Sequence, residues 1–287
     1  MTEYEFKLSS GLKLGPVCLR TRNPAELLRF YEDDLGLKVI RRDGDYTALG
    51  TGSTIEPLLI LHHDEKASSP PLNATGLYHY ALLVPDRKNL ANAYLSLGNK
   101  GVVFDGYADH LVSEALYLTD PEGNGIEIYS DRPRSEWKFD EDGVDMTTAP
   151  LDIDSLMKES STEEDSHAIA DGTTVGHVHL KVCDLQASIT FYRDTLGLEL
   201  MRYWGSAAFL SAGRYHHHVG MNTWESLGGP ARGANWTGLE YFTISIPEPD
   251  LVELSSRLPE NAQAQGDKPK RLFVSDPDDI NLVFEAY

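Results

Sequence analysis

Apolar and polar residues alternate along several stretches of the chain, and this alternation predicts β-strands. Over residues 177–182, the polar side chains of His177, His179 and Lys181 fall on one face and three apolar side chains fall on the other. The stretch that follows, roughly Leu185–Thr195, carries apolar residues at three- and four-residue spacing. That spacing predicts an amphipathic helix packed on the strand.

The strand–helix pattern recurs within the chain. Residues 15–40 (GPVCLRTRNPAELLRFYEDDLGLKVI) align without gaps on residues 176–201 (GHVHLKVCDLQASITFYRDTLGLELM), and residues 76–85 align on 238–247. Gly36 and Gly197 occupy equivalent positions as predicted helix C-terminal caps. Each repeat is completed by two or three further predicted strands. The chain is therefore predicted to contain four βαβββ modules, which begin near residues 15, 76, 176 and 238.

An acidic segment separates the two halves of the chain. Residues 1–130 contain the first two modules, and residues 174–287 contain the last two. The intervening residues 131–173 are acidic, rich in serine and threonine and poor in large apolar side chains. We expect this segment to be an exposed, partly mobile linker with one short helix near Ile153–Lys158.

Composition narrows the function classes. The chain has 287 residues, of which 41% are hydrophobic, and this is a globular composition. It lacks both an apolar run long enough for a transmembrane helix and a secretory signal. Two cysteines, Cys18 and Cys183, make no disulfide framework, which indicates a cytoplasmic protein. The net charge of -20 makes nucleic acid and anionic membranes poor partners.

Three sequence motifs resemble a known superfamily. They are GHVHLKV with the later FYRDTLGL at the start of the third module, DHLVSEALYLTDPEGNGIEIY at 109–129, and GRYHHHVGMNTW at 213–224. Together they resemble the vicinal oxygen chelate superfamily, in particular its four-module extradiol ring-cleaving dioxygenases of the catechol 2,3-dioxygenase type. The resemblance covers nearly the whole chain except the linker and the first dozen residues. It implies an α+β fold whose modules pair into two cup-shaped mixed β-sheets, and a homo-oligomer.

The resemblance also implies where a metal binds, namely at first-strand and last-strand positions of two paired modules. The first-strand positions are, in module order, Pro16, His79, His177 and Tyr241. Only modules 2 and 3 together supply two histidines, with Glu127 as the carboxylate. We therefore predict that module 2 pairs with module 3 and module 1 with module 4, while pairing of sequence neighbours stays an open alternative. The predicted metal ligands are His79, His177 and Glu127.

Each predicted ligand has a simpler alternative interpretation. A lone His79 is more often a hydrogen-bonded core histidine, and Glu127 would face solvent if its strand were turned over. His179 competes with His177 on the same strand face, although the family motif favours His177 and places His179 on the cavity wall. Glu285 is assigned the sequence position of Glu127 in the last module, but it has no histidine partners there.

The remaining site residues are implied by position relative to the motifs. In a strand, His216 and His218 would share one face and His217 would point the other way. Alignment to the relatives favours His218 as the acid–base group. An imidazole suits this role, since its ordinary pKa allows proton transfer near neutral pH. Tyr117, ten residues before Glu127, is predicted to hydrogen-bond a substrate oxygen. His110 is predicted as a second active-site histidine, with an exposed loop position as its alternative.

These positions together predict an activity. Two histidines and one carboxylate form the set typical of non-haem Fe(II) oxygenases, with Mn(II) as the alternative metal. We expect an Fe(II)-dependent extradiol dioxygenase of aromatic catabolism that cleaves a catechol-type diol with O₂. Two other functions stay open: a glyoxalase-like metal-dependent isomerase or lyase, and a non-catalytic protein that binds an aromatic ligand.

Overall fold

The computed structural model describes residues 6–53, 55–161, 169–258 and 270–287. The strands in these ranges are β1 Lys13–Thr21, β2 Lys38–Asp43, β3 Tyr46–Gly50, β4 Leu59–His63, β5 Gly76–Leu83, β6 Gly106–Asp109, β7 Ser113–Thr119, β8 Gly125–Asp131, β9 Phe139–Asp140, β10 Gly143–Val144, β11 Thr174–Lys181, β12 Glu199–Tyr203, β13 Ala207–Ser211, β14 Val219–Asn222, β15 Gly238–Ile246, β16 Arg271–Ser275 and β17 Asn281–Ala286. The α-helices are α1 Pro24–Arg29, α2 Arg87–Asn99, α3 Ile153–Met157, α4 Leu185–Thr190 and α5 Glu248–Arg257. None of these helices is long and apolar enough to cross a membrane.

Two large mixed sheets confirm the predicted pairing of modules. One sheet has the order β12-β13-β14-β11-β5-β8-β7-β6, so it joins module 3 to module 2. The other has the order β16-β17-β15-β1-β4-β3-β2 in the described residues, so it joins module 4 to module 1. In each sheet the first strands of the two modules lie side by side and antiparallel. The two halves of the chain are therefore interleaved, and each sheet draws on both.

The alternation of β11 explains which face of the sheet carries chemistry. Val178 and Leu180 are fully buried in the main hydrophobic core, which also contains residues of both sheets and of α1, α2, α4 and α5. His177 and His179 occupy the opposite face, and His179 lines a cavity there. The helices thus cover the apolar faces of the sheets, and the polar face of the module 2–3 sheet is left to form a cup.

The helix predicted over Leu185–Thr195 is confirmed in extent, but its last turn is wider than an α-helix. Residues Leu185–Thr190 form α4, and Phe191–Thr195 continue it as a π-helical turn. The same widening follows α1 at Phe30–Asp34 in module 1. Gly36 and Gly197 then adopt positive φ angles of 80° and 83°, as expected for the residues that end these helices.

A buried tyrosine–aspartate hydrogen bond links neighbouring modules in each half of the chain. Tyr31 donates to Asp120 Oδ2 over 2.8 Å, and Tyr192 donates to Asp276 Oδ2 over 3.1 Å. Each tyrosine comes from the repeated Phe-Tyr motif, and each aspartate comes from the repeated Asp-Pro turn. These two motifs therefore hold modules together across the two sheets, and each motif occurs once in each half of the chain.

The linker departs from the prediction, because much of it is packed rather than exposed. Residues 139–144 form the small hairpin of β9 and β10, and the short helix predicted near Ile153–Lys158 is observed as α3. Trp137, Val144 and Met146 are buried in a second apolar cluster with Phe209 of β13. The acidic composition hid these apolar positions, and the segment covers part of the module 2–3 cup. Residues 162–168 of the predicted linker lie outside the described residues.

Candidate metal centre and active site

Three buried side chains meet in the cup between modules 2 and 3. His79 of β5, Glu127 of β8 and His177 of β11 present ligand atoms within 4.8 Å of one another, and they are the one such cluster found in the described residues. Glu127 Oε2 lies 3.0 Å from the Nε2 atom of each histidine, and the two Nε2 atoms are 3.3 Å apart. The set predicted as metal ligands is thus brought together, although its function as a metal site stays a prediction.

The sheet register explains why these three side chains converge. In the β5–β11 ladder Ala81 pairs with His177, and in the β5–β8 ladder Ala81 pairs with Glu127. The two ligands on the outer strands therefore lie level with each other across β5. His79 is two residues from Ala81 on the same face of β5, and its side chain completes the group.

The ionisation of the cluster matches that of a metal ligand set. Burial lowers the pKa of His177 to about 4, so its imidazole is neutral at neutral pH. Burial acts to raise the pKa of Glu127, but His177 and His79 outweigh it and hold the pKa well below its ordinary value. One carboxylate beside a neutral imidazole is the protonation state that metal binding requires. The donor set therefore fits a divalent transition metal with nitrogen and oxygen ligands.

His179 lies beside the cluster but is bonded elsewhere. Its Nε2 atom is 3.0 Å from the side-chain nitrogen Nδ2 of Asn222 and accepts a hydrogen bond from it. Its ring packs closely over Gly220, where an added Cβ would lie 2.9 Å from Nδ1. Burial lowers the pKa of His179 well below its ordinary value. His179 is therefore a neutral wall of the cavity, as predicted, and Asn222 holds its orientation.

Tyr117 and His110 form a hydrogen-bonded pair at the edge of the cavity. Tyr117 lies opposite Glu127 in the β7–β8 ladder, and its ring centroid is 5.7 Å from that of His79. The Tyr117 hydroxyl is 2.7 Å from His110 Nε2, and His110 Nδ1 is 2.7 Å from the carbonyl oxygen of Thr147. Because a carbonyl only accepts, Nδ1 carries the proton of a neutral His110 and Nε2 accepts from Tyr117. Burial, followed by the charge of Glu127, raises the pKa of Tyr117 well above its ordinary value.

The histidine run is placed differently from the prediction. His218 does not line the cavity; its Nδ1 is 2.9 Å from Ser211 Oγ, and burial lowers its pKa to about 3. His217 lines the cavity instead, with its ring centroid 4.1 Å from that of His177. The prediction that His217 points away was wrong because β14 begins only at Val219, so strand alternation does not apply to residues 216–218.

A line of hydrogen bonds joins His217 and His216, which both line the cavity, to Asp131. His217 Nδ1 is 2.8 Å from His216 Nδ1, and His216 Nε2 is 3.0 Å from Asp131 Oδ1 at the end of β8. Both histidines are buried, whereas the Asp131 side chain is 24% exposed. Burial, together with the neighbouring His177 and His216, lowers the pKa of His217 well below its ordinary value.

The cavity in front of the cluster has a volume of about 570 Å³. It is lined by the aromatic rings of Tyr78, Trp204 and Trp224 and by a polar set that comprises Tyr117, Glu127, His79, His110, His179, His216 and His217. Met146 and Thr148 of the linker also line it. The cavity is large enough for a small aromatic molecule, and the linker is part of its wall.

The register of the other sheet corrects the position assigned to Glu285. In the β15–β17 ladder Thr243 pairs with Val283, in the manner in which Ala81 pairs with Glu127 in the module 2–3 sheet. Val283 therefore stands where Glu127 stands in module 2. Glu285 lies two residues further along and forms an ion pair at the sheet edge. The prediction that Glu285 is equivalent to Glu127 was wrong.

The cup of modules 1 and 4 contains an ion-pair network in place of a ligand set. Pro16 and Tyr241 occupy the two first-strand positions, so neither histidine is present. Glu240 forms ion pairs with Arg20 over 3.2 Å and with His62 over 2.6 Å, all three side chains being about 15% exposed. These contacts link β1, β4 and β15 across the cup, which indicates a structural role.

Comparison with known proteins agrees with this architecture. Residues 13–128 and 174–245 match the Glyoxalase/Bleomycin resistance protein/Dioxygenase superfamily. The chain belongs to this superfamily. The two matched segments contain residues of all four first strands and omit residues 129–173.

Relatives within the superfamily refine the assignment. The chain is 40% identical over 269 residues to a catechol-2,3-dioxygenase from Bacillus subtilis, covering 92% of this chain and 93% of that protein. It is 28% identical over 127 residues to a biphenyl-2,3-diol 1,2-dioxygenase from Rhodococcus globerulus, covering 42% of this chain and 63% of that protein. The resemblance to the ring-cleaving dioxygenases is confirmed.

Solved structures share the fold at low sequence identity. Glyoxalase I from Zea mays superposes with a TM-score of 0.55 at 16% identity, over 96% of this chain and 92% of that one. The cppA protein from Streptococcus pneumoniae superposes with a TM-score of 0.59 at 14% identity, over 98% of this chain and all of that one. These likenesses confirm the predicted α+β arrangement of paired βαβββ modules.

Three parts of the site were missed by sequence reasoning. His217 was assigned to the wrong face, Asp131 was not considered, and Met146 was placed in an exposed linker. The sequence signal for His217 is Gly213, a residue that favours a turn before the histidine run. In the structure Gly213 and Arg214 both have positive φ angles and change the direction of the chain.

Proposed function

We propose that this chain is an Fe(II)-dependent extradiol dioxygenase that cleaves a catechol-type aromatic diol with O₂ in the cup between modules 2 and 3. The observation that carries the proposal is the buried convergence of His79, His177 and Glu127 beside a cavity that is lined by His79, Glu127 and several aromatic rings. The 40% identity to a catechol-2,3-dioxygenase over almost the whole chain supports it.

The three side chains would hold the metal through two imidazole nitrogens and one carboxylate oxygen. When bound there, Fe(II) would supply activation of O₂ for cleavage of the diol. Mn(II) favours an overlapping ligand set and is the alternative ion. The burial of the carboxylate and both imidazoles keeps bulk water away from the three side chains that would hold the ion.

His217 is the acid–base group in this proposal, in place of His218. Its ring lies 4.1 Å from that of His177, centroid to centroid, and it lines the cavity. His217 Nδ1 is engaged by His216, so Nε2 is the nitrogen left to accept a proton from a diol hydroxyl. A neutral imidazole is required for this step, and the burial of His217 favours that form.

Tyr117 and His110 position the substrate from the other side of the cavity. The Tyr117 hydroxyl retains its proton because the pKa of Tyr117 is raised by burial. It donates to His110 Nε2 in the ligand-free site, and both groups lie within reach of a substrate oxygen bound near His79. The aromatic rings of Tyr78 and Trp224, 5.2 Å apart and edge to face, provide an apolar wall for the substrate ring.

Oxygen uptake tests the proposal. Protein purified without oxygen is loaded with Fe(II), Mn(II) or Zn(II), and O₂ consumption is followed together with product absorbance after catechol is added. We expect uptake with Fe(II), or with Mn(II) as the alternative, no uptake with Zn(II), and loss of uptake in His217→Ala. His218→Ala is the matched control, and it should retain the activity if it folds. Absence of O₂ uptake with catechol and its ring-substituted derivatives would overturn the proposal.

A further inference from the structure

His217, His216 and Asp131 form a hydrogen-bonded line that begins at the cavity wall, where both histidines lie, and ends near the protein surface. His217 Nδ1 is 2.8 Å from His216 Nδ1, and His216 Nε2 is 3.0 Å from Asp131 Oδ1. His216 is 1% exposed and His217 is 8% exposed, whereas the Asp131 side chain is 24% exposed. The line therefore connects the cavity wall to a carboxylate that contacts solvent.

When both histidines carry a single proton, the directions of the hydrogen bonds in this line follow from the carboxylate at its end. An ionised carboxylate only accepts, so His216 Nε2 carries a proton and donates it to Asp131. A neutral His216 then has a bare Nδ1, which accepts from the proton on His217 Nδ1. A neutral His217 protonated on Nδ1 has an unprotonated Nε2. The carboxylate thus determines which nitrogen of His217 can accept a proton.

We propose that Asp131 and His216 are positioning residues that fix the tautomer and orientation of His217, so that its Nε2 lone pair is directed into the cavity. The consequence for catalysis rests on the proposed function. There, Nε2 takes the proton of a diol hydroxyl as the O–H bond breaks, and the imidazole becomes doubly protonated. The tautomer itself is a property of the chain and holds whether or not a diol is the substrate.

Packing keeps both rings in the orientation that the line needs. His216 lies against Tyr215, with ring centroids 4.1 Å apart, and against Trp137 of the linker at 5.3 Å. His217 lies between His177 at 4.1 Å and Phe209 at 5.0 Å. A rotation of the His217 ring by half a turn would bring a carbon to the place of Nδ1 and leave the buried His216 Nδ1 without a donor. The linker residue Trp137 therefore helps to hold the His216 ring in this orientation.

The structure also distinguishes this line from an ordinary surface contact. Asp131 ends β8, the strand that carries Glu127, and it reaches a histidine that is almost completely buried. A neutral histidine with one nitrogen bonded to a carboxylate is held in one tautomer, since an ionised carboxylate only accepts. Asp131 is the member of the line best suited to substitution, because it is partly exposed and its loss leaves no cavity in the core.

Nitrogen NMR of the metal-free full chain tests the tautomer directly. The chain is labelled with ¹⁵N-histidine, and long-range ¹H–¹⁵N correlations are recorded at pH 8, with the His217 signals assigned by their absence in His217→Gln. We expect His217 to be protonated on Nδ1 alone in the wild type, to lose this single tautomer in Asp131→Ala, and to regain it in Asp131→Glu. Glu136→Ala, which removes an exposed carboxylate nearby, is the matched control and should leave the spectrum of His217 unchanged.

Kinetics on the Fe(II)-loaded variants complete the test. Asp131→Ala should lower kcat at least tenfold while KM for the diol changes less than threefold, and Asp131→Glu should restore most of kcat. A wild-type His217 protonated on Nε2, or an Asp131→Ala variant with unchanged tautomer or unchanged kcat, would overturn the inference. If no diol is cleaved at all while the tautomer behaves as expected, the proposed function fails and the positioning of His217 by Asp131 stands.

Discussion

Gly176 supports the candidate metal centre through a close contact, and its replacement by alanine is a sharp test. An added Cβ would lie 1.8 Å from the Tyr129 hydroxyl oxygen and 2.7 Å from Cζ, both far inside van der Waals contact. Tyr129 is fully buried, its hydroxyl is 2.7 Å from that of Tyr215, and its ring centroid is 4.9 Å from that of His177. The ring must therefore move in Gly176→Ala, and it moves against a proposed metal ligand.

The expected cost follows from two contributions. Overpacking a filled core costs about 1–3 kcal/mol. Loss of the Tyr129–Tyr215 hydrogen bond costs about 0.5–1.5 kcal/mol. We therefore expect the free energy of unfolding to fall by about 2–4 kcal/mol. In a chain of this size, each kcal/mol lost should lower Tm by about 2–4 °C. Because Tyr129 orients His177, we also expect the Kd for Fe(II) to rise at least about tenfold.

Thermal unfolding and anaerobic Fe(II) titration measure both effects. Gly98→Ala is the matched control, since Gly98 lies in α2 with nothing within 4 Å of an added Cβ. That variant should gain about 0.5–1 kcal/mol of stability, because alanine is the better helix former, and should bind metal normally. A Gly176→Ala variant with wild-type Tm and wild-type Kd would refute the argument that Tyr129 can occupy its position only because residue 176 has no Cβ.

The remaining predictions concern other parts of the molecule. Tyr117→Phe removes the donor to His110 and should lower kcat/KM about tenfold without changing metal stoichiometry; an unchanged kcat/KM would remove Tyr117 from the site. Glu240→Gln breaks the ion pairs of the module 1–4 cup and should cost about 1–2 kcal/mol in urea unfolding with Fe(II) binding intact; lost metal binding would contradict a purely structural second cup. A hydrogen bond to Asp278, followed by burial, raises the pKa of Cys183 to about 11, so its alkylation by iodoacetamide should accelerate about tenfold per pH unit from pH 8 to 10; a plateau near pH 9 would show an ordinary thiol.

The repeat carried most of the information that could be predicted. Gapless alignment placed His79 and His177 at equivalent first-strand positions, and only one pairing of modules could join them. The structure explains why that inference holds, because the first strands of the two paired modules lie side by side in both sheets. The three predicted ligands meet in the structure for this reason.

Two failures have local physical causes. The histidine run was read as a strand, but successive positive φ angles of 63° and 57° at Gly213 and Arg214 redirect the chain immediately before it. His217 then reaches the cavity and His218 does not. The prediction for Glu285 rests on the shared Asp-Pro turn, but the residue that stands seven positions after Asp276, as Glu127 does after Asp120, is Val283, and the ladder places Val283 there.

The prediction of an exposed linker was wrong for a different reason. Its average composition is acidic because its exposed residues outnumber its buried ones. The average therefore does not reveal the few buried apolar residues. Trp137, Val144 and Met146 are spaced along it so that each packs on the module 2–3 sheet. A few apolar side chains in a polar segment are enough to anchor it, and here they bring Thr147 to His110.

Anaerobic titration with Fe(II) tests the central claim most directly, namely that the module 2–3 cup holds the metal on His79, His177 and Glu127. The wild-type chain should bind one equivalent of Fe(II), and Glu127→Gln should bind none while remaining folded by circular dichroism. Glu285→Gln, the carboxylate at the edge of the other sheet, should bind one equivalent as the wild type does. Full Fe(II) binding by Glu127→Gln, or its loss in Glu285→Gln, would contradict the account.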